Sequence, residues 1–123
     1  MPPILIEKSE RIATVTFNAP ERRNTMTDAP MIEAMLSALH EVESDPAISV
    51  MILTGAGSAF SAGGDVKAMA NRAGLFAGSP LDIADGYRAG VQRIPKALYG
   101  LDVPTIAAVN GPAIGAGCDL AFM

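Results

Sequence analysis

The chain has 123 residues, which fits one domain, but half of them are hydrophobic, an excess for a unit of that size that suggests a core completed by a partner subunit or by more chain. Its net charge of −4 argues against nucleic acid, which needs a basic face. A single cysteine excludes an internal disulfide framework, and a single histidine leaves no basis for a multi-ligand metal site.

Ile4 to Lys8 and Arg11 to Phe17 alternate and are rich in Ile, Val and Thr, with Ser9-Glu10 between them, which predicts a β-hairpin. Asn18-Ala19-Pro20 ends the second strand, because proline lacks the N–H that a ladder needs. Thr27 is the expected N-cap of the first helix, and Pro30 falls in its first turn, where a missing N–H costs little. Ile32, Met35, Leu36, Leu39 and Val42 then recur at helical spacing as far as Ser44-Asp45-Pro46. Ile48 to Thr54 reads as a short apolar strand. Val66 to Ser79 reads as a short helix followed by a mobile loop. In the broken helical pattern from Ile83 to Tyr99, Pro95 is expected to kink or end the helix near Ile94, unless the helix starts again there. Thr105 to Val109 is the last strand, with a helix beginning near Gly115 or Ala116.

Met1 to Glu7 turns polar at once, so no leader peptide is read there. The most membrane-like stretch, Thr105 to Met123, contains Asn110, Pro112 and Asp119, which are costly at bilayer depth. No membrane span is expected, and a soluble cytoplasmic protein is. Asp119 to Met123 ends without a capping glycine, a basic last turn or a proline stop. Leu120 and Phe122 are therefore expected to lack the layer they pack against, in a chain cut short at its C-terminus.

Two stretches carry the chemistry: Ala59-Phe60-Ser61-Ala62-Gly63-Gly64-Asp65-Val66-Lys67, and Val109-Asn110-Gly111-Pro112-Ala113-Ile114-Gly115-Ala116-Gly117-Cys118-Asp119-Leu120. Each follows an apolar strand and is dense in small residues, which leave backbone N–H groups uncovered for a ligand. Two such loops can aim two N–H groups at a single oxygen. Neither fits a nucleotide fingerprint, since Phe60 and Leu120 stand where a third glycine is needed. A phosphate-binding G-x-x-x-x-G-K-[ST] run and a G-x-S-x-G elbow are both missing. His40 reads as a solvated helix residue and Cys118 as a small buried filler.

Ser-Ala-Gly-Gly-Asp-Val-Lys and Asn-Gly-Pro-Ala-Ile-Gly-Ala-Gly-Cys-Asp-Leu resemble the two signature segments of the enoyl-CoA hydratase/isomerase (crotonase) superfamily. Asn18-Ala19-Pro20-Glu21-Arg22-Arg23-Asn24 is similar to that family's N-terminal N-x-P-x-x-x-N segment. The resemblance implies an α/β fold, the N-terminal part of a crotonase-like spiral of strand-strand-helix units. Residues 1–123 would form an acyl-CoA-binding core that is incomplete at the C-terminus. It implies reversible hydration of a 2-enoyl-CoA, with double-bond isomerisation as the nearest alternative. A non-catalytic acyl-CoA-binding or interaction module of the same fold is the reading from a different class.

In this reading the N–H groups of Gly64 and Ala116 hold the thioester oxygen, and Asp119 moves the proton. Asp119 stands three residues after Ala116, where resembled hydratases commonly carry a glutamate that pairs with a second one farther along. Arg22, Arg23 and Lys67 are the cations expected to meet phosphates, and Ala62 and Val66 would line the adenine and pantetheine path. Asp65 joins the substrate-binding set, although capping the following turn is the preferred reading for its side chain. No cofactor is required beyond the coenzyme A of the substrate. A homo-oligomer is expected for the full-length protein, and 123 residues alone are expected to be inactive.

Overall fold

A computed structural model describes residues 1–123. Strands β1 (Ile4–Ser9) and β2 (Ile12–Phe17) pair antiparallel, with Ile4 opposite Phe17 and Ser9 opposite Ile12. Glu10 makes the turn at a φ of +56°. Helix α1 (Ala29–Ser44) then crosses back, so that β3 (Val50–Gly55) lies parallel to β2. Strand β4 (Thr105–Ala107) adds parallel to β3, completing a sheet ordered β1-β2-β3-β4. Between β3 and β4 come α2 (Val66–Ala70), α3 (Pro80–Ala89) and α4 (Arg93–Tyr99), and α5 (Ala116–Phe122) follows β4.

Alternation fixes which sheet face is covered. Ala13, Val15 and Phe17 of β2, with Met51 and Leu53 of β3, are buried beneath Met31, Ile32, Met35, Leu39 and Val42 of α1. Burying one such large side chain is worth about 1.5–3 kcal/mol, so this layer fixes where the β2 and β3 ends project. Phe17 also meets Phe60 edge-on at 5.7 Å, which joins the end of β2 to the first small-residue loop. At the other end of the sheet Lys8 pairs with Asp45 at 2.9 Å. The hydrogen bond between them raises the Lys8 pKa and lowers that of Asp45.

Several details depart from the sequence reading. Asp28, not Thr27, caps α1, accepting from the Met31 N–H at 3.3 Å. The Thr27 hydroxyl instead accepts from the Asp65 N–H at 3.3 Å, tying two distant loops together. The helical break falls at Gly90, not at Ile94. Pro95 is the third residue of α4, where an N–H has no acceptor within the helix. After α2 the chain makes a short 3-10 turn, Gly74–Phe76, and Phe76 is buried edge-on against Tyr87, with ring centres 6.1 Å apart. Leu120 is buried in the core, whereas Phe122 is 89% exposed. No helix is long and apolar enough to cross a membrane.

Candidate active site

Three chain segments, which follow strands β2, β3 and β4 in turn, lie side by side. Residues 23–26 bridge to the first small-residue loop through Thr25 and Gly63, with the Met26 N–H donating to the Gly63 carbonyl at 2.8 Å. That loop bridges to the second through Ser61 and Ala113, with the Ile114 N–H donating to the Ser61 carbonyl at 2.9 Å. Their closeness requires small residues. A Cβ on Gly117 would stand 2.3 Å from the Ser61 carbonyl oxygen, and one on Gly63 would stand 2.4 Å from that of Ile114.

The first loop is moulded around a fully buried Asn24. Its Oδ1 accepts from the Ala19 N–H at 2.9 Å, and its Nδ2 donates to the carbonyls of Ala56, Ala59 and Phe60 at 3.0–3.2 Å. Ser61, also fully buried, donates to the Asn24 carbonyl at 2.7 Å and accepts from the Gly63 N–H at 3.1 Å. The sequence reading gave Asn24 and Ser61 no role. The available signal was the second asparagine of N-x-P-x-x-x-N, a residue that tolerates the left-handed φ of +57° seen here.

Against this framework several amides of the two loops are left without an acceptor, among them those of Val66, Ala113, Gly115 and Cys118. Gly63, Asp65 and Gly117 all donate within the chain, Gly117 to the Ile114 carbonyl at 2.9 Å. The Gly64 and Ala116 N–H groups belong to this unpaired set. Ala116 opens α5, where first-turn amides lack internal partners and the helix dipole is positive. The two sites adjoin, since a Cβ on Gly63 would come within 3.0 Å of the Ala116 nitrogen.

Asp119 is exposed, one turn beyond Ala116 on α5, and its carboxylate makes no hydrogen bond or ion pair in the chain. It lines a cavity of about 180 Å³ together with Ala116, Met26 and Tyr87. A larger cavity of about 660 Å³ opens at Thr27 and Asp65, beside Gly64, and runs between α1 and α3 past Ile32, Leu75 and Phe76. The sequence reading foresaw neither cavity, because both are enclosed by residues far apart in the chain.

The remaining candidates scatter. Arg22 is not an uncommitted cation, because its Nη1 pairs with Asp28 at 2.6 Å. Arg23 and Lys67 are exposed and carry no ion pair. Ala62 is half-buried and donates to the Arg23 carbonyl at 2.8 Å. Val66 is 71% exposed at the start of α2. Asp65 caps that helix by accepting from the Ala68 N–H at 3.0 Å.

A model of the enoyl-CoA hydratase/isomerase family matches residues 7–123. A Mycobacterium tuberculosis protein named "Probable enoyl-CoA hydratase EchA14" is 38% identical over 125 residues, spanning 98% of this chain and 44% of the relative. A solved enoyl-CoA hydratase/carnithine racemase from Magnetospirillum magneticum superposes with a TM-score of 0.85 at 33% identity, over 98% of this chain and 43% of that one. A monofunctional enoyl-CoA isomerase from M. smegmatis gives 0.70 at 34% identity, over 98% and 46% respectively. The chain thus spans under half the length of these relatives. With this match along nearly all of its residues, the chain belongs to the enoyl-CoA hydratase/isomerase family and has its crotonase-like α/β fold.

Proposed function

We propose that the protein acts on acyl-CoA thioesters, adding water reversibly to a 2-enoyl-CoA. The observation that carries this reading is the pair of unused amides, Gly64 and Ala116, on two loops held in contact. A thioester oxygen placed between them gains negative charge as the enolate forms, and each donor contributes about 3 kcal/mol to the transition state. The Asp119 carboxylate takes a proton from water while the water oxygen bonds to C3. The C2–C3 π electrons shift toward the thioester oxygen, and the same proton then passes from Asp119 to C2. Arg23 and Lys67 are available to the phosphates of coenzyme A, with Ala62 and Val66 along its path. The chemistry needs neither a metal nor a redox cofactor.

Isomerisation of a 3-enoyl-CoA is the second reading. Asp119 is the only carboxylate on its cavity, and isomerisation needs a single acid/base. Assembly into a homo-oligomer belongs to the same proposal, supported by exposed Tyr99, Ile106, Ile114 and Phe122.

The test compares Ala116→Pro and Asp119→Asn in the protein as its host expresses it. Proline is accepted at the first helical position, so the first variant deletes a donor at a tolerant site. Turnover should fall about 10²-fold or more in each, with acyl-CoA affinity changed only about threefold. Full activity in Asp119→Asn would place the base elsewhere. An unaltered protein that binds acyl-CoA without turning it over would be the binding module.

A further inference from the structure

Two buried side-chain atoms have no hydrogen-bond partner, Thr25 Oγ1 and Arg93 Nε, and of these two residues only Arg93 lines the larger cavity. A buried N–H of a charged group is costly to leave without an acceptor, so a site that keeps one is short of an atom. The guanidinium is not loose. Arg93 opens α4, and its Nη2 pairs with Glu33 of α1. Glu33 lies about 6 Å along α1 from Ala29, which lines the cavity beside Thr27 and Asp65 at the Gly64 end. The walls are largely apolar, among them Ile32, Ala68, Leu75, Phe76 and Ala89. The other charged groups on the cavity, Asp28 and Asp65, are carboxylates and supply no donor. A volume of about 660 Å³ is that of a small-molecule site, apolar with few polar groups to fix what enters.

We propose that Arg93 is a specificity-determining residue that selects acyl chains carrying a neutral oxygen, keto or hydroxyl, away from the thioester. The inference rests on the proposed binding of the thioester oxygen at Gly64. From there the chain enters the larger cavity, and its distal oxygen accepts the Nε–H. A plain alkyl chain would shut Nε off from water and offer nothing in return. The oxygen is neutral because Glu33 already balances the guanidinium. What the site lacks is an acceptor atom and not a negative charge. Asp28 is likewise balanced by Arg22, and Asp65 brings a negative charge of its own to the cavity. A carboxylate on the chain would therefore enter as excess charge, which is expensive to desolvate.

In the protein as its host expresses it, kcat/KM is measured for 2-enoyl-CoA thioesters of matched length whose distal end is alkyl, keto or carboxylate. Kd is measured for their saturated counterparts, which cannot react. The keto chain is expected to exceed the alkyl chain by about tenfold in both measurements, the size of one hydrogen bond to a charged group, and to exceed the carboxylate chain as well. Arg93→Lys keeps a positive charge near Glu33 but puts a methylene where Nε stands, and should bring the keto-to-alkyl ratio close to one. Glu33→Gln keeps Nε and unmasks the guanidinium charge, so the carboxylate chain should gain most. A ratio near one in the unaltered protein, a ratio that survives in Arg93→Lys, or an unaltered protein that prefers the carboxylate would each overturn the assignment of Arg93, with hydration left standing. Turnover of none of the three, with the saturated keto chain still bound about tenfold tighter than the alkyl one, would overturn the proposed reaction and leave the selection by Arg93 intact. Binding of no chain at all would overturn both.

Discussion

The two small-residue loops look alike in sequence but are built differently. In the first, Ala59, Phe60, Ser61 and Gly63 are buried, and the fully buried side chain of Asn24 binds the Ala59 and Phe60 carbonyls and that of Ala56 just before the loop. In the second, Val109, Asn110, Pro112, Ile114 and Gly115 are all exposed. Its main fastenings are backbone bonds to the first loop, such as Phe60 N–H to the Pro112 carbonyl at 3.0 Å, together with Asn110. The first loop is a mould and the second is cast against it. Small residues thus serve two purposes here, a buried fit in one loop and close approach in the other.

The largest test of that difference uses the same side chain on both sides. Asn24 and Asn110 each bond several backbone groups, but only Asn24 is fully buried. Asn24→Ala would strand buried carbonyls and the Ala19 N–H, and should cost about 4 kcal/mol of unfolding free energy. Asn110→Ala, whose partners water can reach, should cost about 1 kcal/mol. Equal losses in denaturant titrations would abolish the distinction between mould and cast.

A second comparison separates backbone strain from crowding. Gly63 and Gly115 have φ values of +75° and +56°, so alanine is strained at both. A Cβ on Gly115 meets nothing within 4 Å, whereas one on Gly63 meets the Ile114 carbonyl oxygen at 2.4 Å. Gly115→Ala should therefore cost about 1–2 kcal/mol, and Gly63→Ala about 3 kcal/mol or more, because backbone must move. Thermal melts of both variants check the order.

The smallest expected effect lies away from the loops, in the capping box of α3. The Ser79 N–H holds the Asp82 carboxyl below its ordinary 3.8, with the Ser79 side chain adding to the effect. A depressed folded pKa means that the unfolded chain takes up the proton first. The contribution is thus complete above 3.8 and lost as pH falls through the folded value. Melts of the parent and Asp82→Asn should converge on acidification below that point, while the cast and mould variants keep their ranking. A gap that persists in acid would assign the Asp82 effect to something other than its charge.

Local patterns in the sequence made much of the fold legible. Alternation gave the β1–β2 hairpin, and the stripe from Ile32 to Val42 gave α1, since each pattern acts between near neighbours. The α3–α4 break was misplaced because Pro95 draws the eye, although a proline in a first turn breaks nothing and Gly90 does. In the candidate site the glycine-rich motifs pointed to Gly64 and Ala116. What kept Asn24, Ser61 and Thr27 out of view is that their partners lie 32 to 38 residues away or are backbone atoms with no residue identity. Arg22 looked like a spare cation for the same reason, since its pairing with Asp28 depends on how the intervening turn folds.

Asn24 also has a consequence for the order of folding. Its amide joins residue 24 to carbonyls 32 to 36 residues later, across the whole of α1 and β3. The first loop therefore cannot take shape while it is being closed locally. It must wait until α1 has crossed over and β3 has docked beside β2, a non-local pairing of the kind that folds slowly. The second loop must wait for the first. The amides of Gly64 and Ala116 come together only at the end of that sequence, so a nascent or partly unfolded chain would present the motifs without the candidate site.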